Sequence, residues 1–304
     1  MKKLLFTLVL LLSLFTITGC TTEENTPDGE YTEVTHSLGT AKVPVDINKV
    51  AVFDLGILDI MMNLEIEVTF GFPDGNFPTY LNEVESAANL GSLTEPNIEA
   101  IFEYEPDLII ISGRQRDYYN DLNQIAPTIF VEVGSSTYLD DVIKNMRMVA
   151  NIFDANEKLS ELEGNLIDKV NEVKTMDKQG RKALVVLING ANINAYGPGS
   201  RFGFVHDELL LDAADATIEV TTHGMQINYE YILSKNPDLI LVVDRGSVVS
   251  NEPNADILNN EILQDDNGDP LFPIHFLNSA AWYLVSGGYS STIQMVLDVK
   301  MALN

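Results

Sequence analysis

Cysteine and arginine are both scarce in this chain of 304 residues, and each scarcity limits what the protein can be. Cys20 is the only cysteine, so the chain can form no internal disulfide. Only six arginines occur, and 18 basic residues stand against 45 acidic ones, for a formal net charge of −27. Because so acidic a chain lacks the basic surface that binds phosphates, nucleic acid is excluded as a partner.

The common catalytic and metal-binding motifs are also missing. There is no G-x-S-x-G, no G-x-x-x-x-G-K-[ST] and no H-E-x-x-H pattern. The four histidines are His36, His206, His223 and His275, and no two of them stand at the spacing of a zinc site. These absences favour a binding protein over an enzyme, and we expect no resident cofactor. They also argue against direct binding of zinc or manganese.

The only long apolar run lies at the N-terminus. Lys2 and Lys3 precede the apolar stretch Leu4–Ile17, and small residues follow, up to Cys20. This order is typical of a bacterial lipoprotein signal peptide, here residues 1–19, with Cys20 carrying lipid after cleavage. An ordinary secretory signal followed by an incidental cysteine is the alternative. Residues 20–30 are polar and acidic and predict a flexible tether. The chain without residues 1–19 holds 16 basic and 45 acidic residues, a net charge of −29.

An internal repeat organises the rest of the chain. Residues 97–114 and 228–245 align without a gap at an offset of 131, and 8 of their 18 positions are identical. Each copy reads as a short helix, then Pro-Asp, then an apolar run of the kind that forms a strand buried on both faces of a parallel sheet. The repeat therefore predicts two homologous α/β lobes.

The segments around the repeat fit two lobes with a helical connection. Residues 31–43 alternate apolar and polar side chains around Gly39-Thr40 and predict a hairpin. Apolar residues recur every three or four positions from Leu159 to Val173, which predicts one long helix from about Asp140 or Glu157 to Met176. We expect a first lobe over residues 31–139, a connecting helix region over 140–178 and a second lobe over 179–304.

Three arginines fall where such lobes would face each other. Arg114 and Arg245 end the two repeated strands, and ligands of open parallel sheets bind beyond those strand ends. Arg201 follows the turn Gly197-Pro198-Gly199-Ser200, in which backbone can approach a ligand closely. Guanidinium groups are permanently charged and donate in a planar fork, so this set predicts an anionic ligand.

With these features the chain resembles a known family, the helical-backbone substrate-binding lipoproteins of ABC importers for iron siderophores. The likeness extends over essentially the whole chain after the signal peptide. It is greatest to the branch that binds catecholate or petrobactin-type siderophores, through Ser112-Gly-Arg114, Gly197–Gly203, His223–Glu230, Asp244-Arg245 and Ala281-Trp-Tyr283-Leu. The resemblance implies an α/β fold of two Rossmann-like lobes joined by a single long α-helix, the class III periplasmic-binding-protein fold.

The resemblance also implies roles for particular residues. Arg114, Arg201, Arg245 and Trp282 are expected to bind the ligand. His223 and Tyr283 are expected to reach the iron when the siderophore supplies only four donors. Glu99 and Glu230, which are 131 residues apart, are expected to dock on two permease subunits.

The sequence thus predicts an extracytoplasmic protein that captures an anionic ferric siderophore, catecholate or mixed catecholate–citrate, and delivers it to an ABC permease. We expect a monomer held by lipid on the outer face of the cytoplasmic membrane. Haem binding within the same fold is the alternative, since haem propionates could use one or two of the arginines. Cobalamin would leave the arginines without an anionic partner.

Overall fold

The structure is a computed structural model that describes residues 29–75, 77–78, 80–81 and 84–304. Cys20, the signal peptide and nearly all of the tether lie outside the described residues.

The described chain begins with an antiparallel hairpin of β1 (Tyr31–His36) and β2 (Gly39–Pro44). Its two-residue turn is Ser37-Leu38, just before the Gly39-Thr40 pair on which the prediction was centred. Val34 pairs with Ala41, and both side chains are buried.

The first lobe is built on a four-stranded, wholly parallel sheet in the order β4-β3-β5-β6. Its strands are β3 (Lys49–Val52), β4 (Thr69–Gly71), β5 (Leu108–Ile111) and β6 (Thr128–Phe130). Its helices are α1 (Leu55–Asn63), α2 (Ile98–Tyr104) and α3 (Tyr119–Ile125). Every residue of β5 is fully buried, as expected of a central strand with both faces covered.

Two helices, not one, occupy the connecting region. They are α4 (Tyr138–Ile152) and α5 (Asn156–Lys174), so the predicted start near Glu157 is confirmed and the start near Asp140 is wrong. The chain breaks at Asp154, whose φ of 53° is left-handed and cannot continue a right-handed helix. The long helix α5 buries the predicted apolar face, namely Leu159, Leu162, Leu166, Val170 and Val173.

The second lobe holds a six-stranded mixed sheet in the order β10-β8-β7-β11-β12, with β9 paired to β7. Its strands are β7 (Lys182–Asn189), β8 (Asn192–Tyr196), β9 (Asp212–Ala213), β10 (Met225–Ile227), β11 (Leu239–Asp244) and β12 (Ile274–Phe276). Its helices are α6 (Phe204–Asp207), α7 (Tyr229–Lys235), α8 (Arg245–Val249) and α9 (Tyr289–Leu303). A π-helix, Ala280–Leu284, precedes α9.

The predicted repeat is also a structural repeat. Asn97 caps α2 and Asn228 caps α7 through the side-chain oxygen. Asp107 accepts from the Lys49 N–H at 2.9 Å, and at the equivalent place Asp238 accepts from the Lys182 N–H at 2.8 Å. Each Pro-Asp pair therefore ties the start of its own strand to the start of the neighbouring strand.

A buried carboxylate joins α1 of the first lobe to the start of α9. Asp59, on α1, is fully buried and accepts hydrogen bonds from the backbone N–H groups of Ser291 at 2.9 Å and Ser290 at 3.3 Å, at the start of α9. Asn63 donates to the same carboxylate at 2.8 Å. Burial raises the pKa of Asp59 from 3.8 to about 6, although these hydrogen bonds oppose the shift. A Cβ atom at Gly288 would collide with this carboxylate, so glycine permits the close approach.

Within the part of the chain that the structure describes, no helix combines the length and the apolar character needed to span a bilayer.

Candidate functional site

The two repeated strands carry Arg114 and Arg245 to the same cleft. Ser112 and Gln115 close a capping box around the 3-10 turn Gly113–Tyr118, which follows β5 and contains Arg114. In the second lobe, Asp244 ends β11 and caps α8 by accepting from the Ser247 N–H at 3.2 Å, so that Arg245 opens the helix. Both turns lie at the carboxyl ends of parallel strands, where ligands of such sheets bind.

Tyr283 is the point where all three predicted arginines meet. Its backbone carbonyl accepts from Arg114 Nη2 at 3.3 Å and from Arg201 Nη2 at 3.0 Å. Its hydroxyl accepts from Arg245 Nε at 2.8 Å. Arg114 and Arg245 therefore converge on one residue from the two lobes, and Arg201 joins them.

The Tyr283 ring adds a second kind of contact. The guanidinium carbon of Arg201 lies 4.2 Å from the ring centroid and that of Arg245 lies 5.6 Å from it, within the range of cation–π attraction. Arg245 also donates from Nη1 to Asn189 Oδ1 at 3.0 Å. Tyr283 itself belongs to the π-helix, a widened turn often found at functional sites.

The three guanidinium groups have no carboxylate partner among the described residues. Partial desolvation and repulsion from Arg114 lower the pKa of Arg201 from 12.5, although the residue remains exposed, and Tyr283 opposes the shift. An arginine whose pKa starts so high remains a cation at neutral pH. Among the described residues the cluster is thus a positive site without a paired carboxylate, in a protein whose net charge is −27.

An open cavity of about 780 Å³ adjoins the cluster and draws its walls from both lobes. Such a volume suits a small-molecule ligand. The lining residues are Asp54, Ser112, Gly113, Arg114, Val131, Glu132, Val133, Gly134, Ser135, Tyr138, Arg201, Val220, Thr221, Thr222 and Ser286.

Two acids on the cavity wall are already engaged. Asp54 accepts from the Ile57 N–H at 2.9 Å and so caps α1. Glu132 accepts from Arg116 Nη1 at 3.3 Å and from the hydroxyl of Ser37 in the first hairpin. These partners reduce the repulsion that the two carboxylates would exert on an anionic ligand.

His223 is exposed in the turn that follows Thr221 and Thr222, two residues of the cavity wall. Its backbone carbonyl accepts from Asn194 Nδ2 at 2.6 Å, which holds the turn against β8. The contacts of the described residues do not bring His223 together with Tyr283. Among those same residues there is no group of three or more His, Cys, Asp or Glu side chains that could hold a metal ion.

The structure does not support a direct ligand contact for Trp282. The indole is fully buried, and its Nε1 donates to Asp298 Oδ2 at 2.8 Å. Phe202 and Phe204 pack edge-to-face against it. The predicted ligand contact of Trp282 is therefore replaced by a structural role. The buried indole supports the segment that presents Tyr283, the next residue.

Glu99 and Glu230 lie outside the cleft. Each is the second residue of its helix, α2 or α7, and each side chain is exposed. The structure thus places the two acids at equivalent points on the surfaces of the two lobes.

Several cleft residues escaped the sequence interpretation. Gly134 and Ser135 line the cavity a few residues after β6, as Ser112 and Gly113 do directly after β5. The expectation that ligands bind beyond the carboxyl ends of parallel strands, which located Arg114, could therefore have found them. Asn189, which holds Arg245, had no comparable signal, because its contact joins residues 56 positions apart.

Two α/β lobes, a long connecting helix and a cleft beside arginines that have no carboxylate partner among the described residues define a two-lobed solute-binding protein. The chain belongs to the periplasmic binding protein family, whose model matches residues 50–266. This is a family of extracytoplasmic binding proteins, and the assignment agrees with the sequence prediction of a binding protein that is not an enzyme.

Two relatives show how far the likeness extends. The chain is 34% identical to the petrobactin-binding protein YclQ of Bacillus subtilis (strain 168), over 100% of this chain and 99% of that protein. The crystal structure of YclQ superposes with a TM-score of 0.85 at 35% identity and covers 91% of this chain and 99% of that one. The ferric-anguibactin-binding protein FatB of Vibrio anguillarum is 28% identical over 94% of this chain and 93% of its own length.

A third relative is named for a class of siderophore. The structure of the periplasmic catecholate-siderophore binding protein VctP of Vibrio cholerae matches with a TM-score of 0.80 at 28% identity, over 90% of this chain and 100% of that one. None of these three relatives is named for haem, so they give the haem alternative no support. Two further relatives are named as lipoproteins.

Proposed function

We propose that this protein captures an anionic ferric siderophore, catecholate or mixed catecholate–citrate, and delivers it to the permease of an ABC importer. The relatives named for petrobactin, anguibactin and catecholate siderophores support the ligand class. The observation that carries the proposal is the cluster of Arg114, Arg201 and Arg245 around Tyr283, which has no carboxylate partner among the described residues.

The chemistry of the ligand fits this cluster. A ferric tris-catecholate is a trianion whose oxygens lie in adjacent pairs, and a guanidinium fork can donate to such a pair. Each charge-assisted hydrogen bond contributes about 1.5–3 kcal/mol. Three such arginines would favour an anionic complex over a neutral one of similar shape by several orders of magnitude.

Tyr283 and His223 are proposed to approach the metal only with a tetradentate siderophore. Phenolate oxygen and imidazole nitrogen both suit ferric iron. Tyr283 stands among the arginines, and His223 lies beside the cavity wall, so a ligand in the cleft could meet both. A hexadentate ligand would leave them as pocket walls.

Delivery and anchoring complete the proposal. Glu99 and Glu230, exposed at equivalent points of the two lobes, are proposed to dock on basic pockets of two permease subunits. Cys20 is proposed to carry lipid and to hold a monomer on the outer face of the cytoplasmic membrane. The polar segment 20–30 then provides a tether between the membrane and the first lobe.

Titration with ferric petrobactin and with haemin tests the ligand class. Intrinsic fluorescence should fall with ferric petrobactin at nanomolar concentrations, because the iron complex absorbs the emission of the single tryptophan. Haemin should produce no new Soret band. A Soret band with haemin, together with no response to ferric petrobactin, would reverse the assignment.

A further inference from the structure

Two exposed apolar side chains occupy equivalent positions in the two lobes. Twelve large apolar side chains are exposed among the described residues, and only Phe102 and Leu233 of these fall within the repeated segments. They are 131 residues apart, which is the offset of the repeat itself. Phe102 is 67% exposed and Leu233 is 36% exposed.

Each apolar residue shares a helix face with a proposed docking acid. Phe102 follows Glu99 by three positions on α2, and Leu233 follows Glu230 by three positions on α7. Residues three apart are neighbours on a helix surface. Each lobe therefore presents one carboxylate and one apolar side chain side by side.

In the first lobe the pair borders a groove of about 620 Å³ between α2 and α3. Ile98, Phe102 and Ile125 supply apolar walls, and Glu99, Asp121 and Gln124 supply polar ones. An apolar groove with acidic residues at its side complements a partner whose apolar surface carries basic residues.

We propose that Phe102 and Leu233 are apolar anchors that enter matching sockets, bordered by basic residues, on two permease subunits. The proposal rests on the proposed function and adds a second contact beside each docking acid. A partner with two equivalent subunits would meet two equivalent patches. The buried apolar side chain would supply binding free energy, and the acid would set the orientation.

Charge argues against the other occupants of this surface. A second copy of the chain would bring another net charge of −27 and the same acids against these patches. An anionic membrane surface would repel Glu99, Asp121 and Glu230 in the same way. A basic protein surface is the partner that these patches fit.

The test uses the lipid-bearing protein, loaded with ferric petrobactin, and the permease–ATPase of its own importer in proteoliposomes. Phe102→Ser and Leu233→Ser are compared with two control variants on α9, Met301→Ser and Leu297→Ser. In the parent protein Met301 is 63% exposed and Leu297 is 37% exposed, which matches the exposure of Phe102 and Leu233. The protein concentration that gives half-maximal ATP hydrolysis should rise about tenfold for Phe102→Ser, less for Leu233→Ser, and most for the double variant. The two α9 controls should stay within about twofold, and all variants should bind ferric petrobactin like the parent.

Glu99→Gln and Glu230→Gln separate failure of this inference from failure of the proposed function. If these variants impair stimulation while the serine variants behave like the α9 controls, the apolar anchors are refuted and acidic docking survives. If all four variants behave like the controls, docking through α2 and α7 fails altogether. If the parent binds no ferric petrobactin, the ligand assignment is what has failed.

Discussion

The two lobes carry the same helix-and-strand unit but contribute unequally to the cationic cluster. The second lobe supplies Arg201, Arg245 and Tyr283, and these hold one another through hydrogen bonds of 3.0 Å and 2.8 Å. Asn189 fixes Arg245 from the other side at 3.0 Å. The first lobe supplies only Arg114, which reaches across the cleft to the Tyr283 carbonyl at 3.3 Å.

The difference begins in the turns. Asp244 caps α8 and places Arg245 as the first residue of the helix, whereas Ser112 caps its turn two residues before Arg114. Duplication preserved the position of both arginines but not the turn that presents them. We infer that the second lobe holds a preformed positive surface and that the first lobe adds one weaker contact. A preformed site loses less conformational freedom on binding.

Removal of single arginines tests whether the second lobe contributes more to ligand binding than the first. These substitutions should have the largest effect on ligand affinity. Arg245→Ala or Arg201→Ala should weaken ferric petrobactin binding about a hundredfold, because each loses a preformed charge-assisted contact of up to about 3 kcal/mol. Arg114→Ala should weaken it only about tenfold, since its present contact is longer. Isothermal titration calorimetry measures all three. Arg147→Ala, which removes an exposed arginine paired with Glu163, is the control. Equal losses at all three cleft positions would contradict the inequality.

Tyr283→Phe should have a smaller effect, because the ring and the backbone carbonyl remain. Arg245 loses its hydroxyl acceptor at 2.8 Å and becomes less ordered, so affinity for a hexadentate ferric catecholate should fall about fivefold. The same calorimetric titration applies, with Tyr31→Phe in the first hairpin as the matched substitution. A loss as large as that of Arg245→Ala would mean that the hydroxyl has a direct role in binding.

The free energy of unfolding should depend on pH through Asp59, the carboxylate that joins α1 to α9. Its pKa is raised to about 6 in the folded protein, so the folded state binds the proton more tightly than the unfolded chain. The stability from this group is present at low pH and is lost as pH rises through 6. Between pH 5 and pH 7 the loss should be roughly 1 kcal/mol. Asp59→Asn should remove this component from urea unfolding curves recorded at several pH values.

Asp215 provides a control of opposite sign inside the second lobe. Lys235, Thr217 and Tyr231 donate to its carboxylate, outweigh its desolvation and lower the pKa of Asp215 below 3.8. Its contribution is therefore present above the unfolded pKa and is constant between pH 5 and pH 7. Asp215→Asn should leave the slope over that range unchanged. An unchanged slope in Asp59→Asn as well would exclude Asp59 as the titrating group.

The smallest effect is expected at His223, which no described contact connects to the arginine cluster. His223→Ala should leave affinity for a hexadentate ferric catecholate within about twofold, because an exposed side chain contributes little unless it binds the ligand directly. With a tetradentate siderophore, the same variant should shift the ligand-to-iron charge-transfer band in the visible absorption spectrum. An identical spectrum for variant and parent would remove His223 from the iron.

The parts of this account that were predictable from the sequence depend on local pattern or on duplication. The repeat located both lobes, and the expectation that ligands bind beyond strand ends placed Arg114 and Arg245 in one cleft. The break at Asp154 was missed because a left-handed residue interrupts a helix without disturbing its apolar spacing. The burial of Trp282 was missed because its partner, Asp298, comes from α9, and a sequence motif does not show which side chain of a segment faces inward.

The roles of Tyr283 lie beyond any sequence pattern. Its carbonyl joins arginines from both lobes, and its hydroxyl holds a third. Every residue has a backbone carbonyl, so the sequence does not show which carbonyl will accept hydrogen bonds from the arginines. The proposed ligand roles of Arg114, Arg201, Arg245, His223 and Tyr283, and the division of the chain at residues 140 and 178, stay predictions.

Calorimetry with two ferric complexes of similar size and different charge tests the central claim most directly. A ferric tris-catecholate carries three negative charges, whereas a ferric tris-hydroxamate is neutral. Since Arg114, Arg201 and Arg245 gather around Tyr283 and have no carboxylate partner among the described residues, the catecholate complex should bind at least about a thousandfold more tightly. Equal affinity for the two complexes would mean that the positive cluster does not select the ligand.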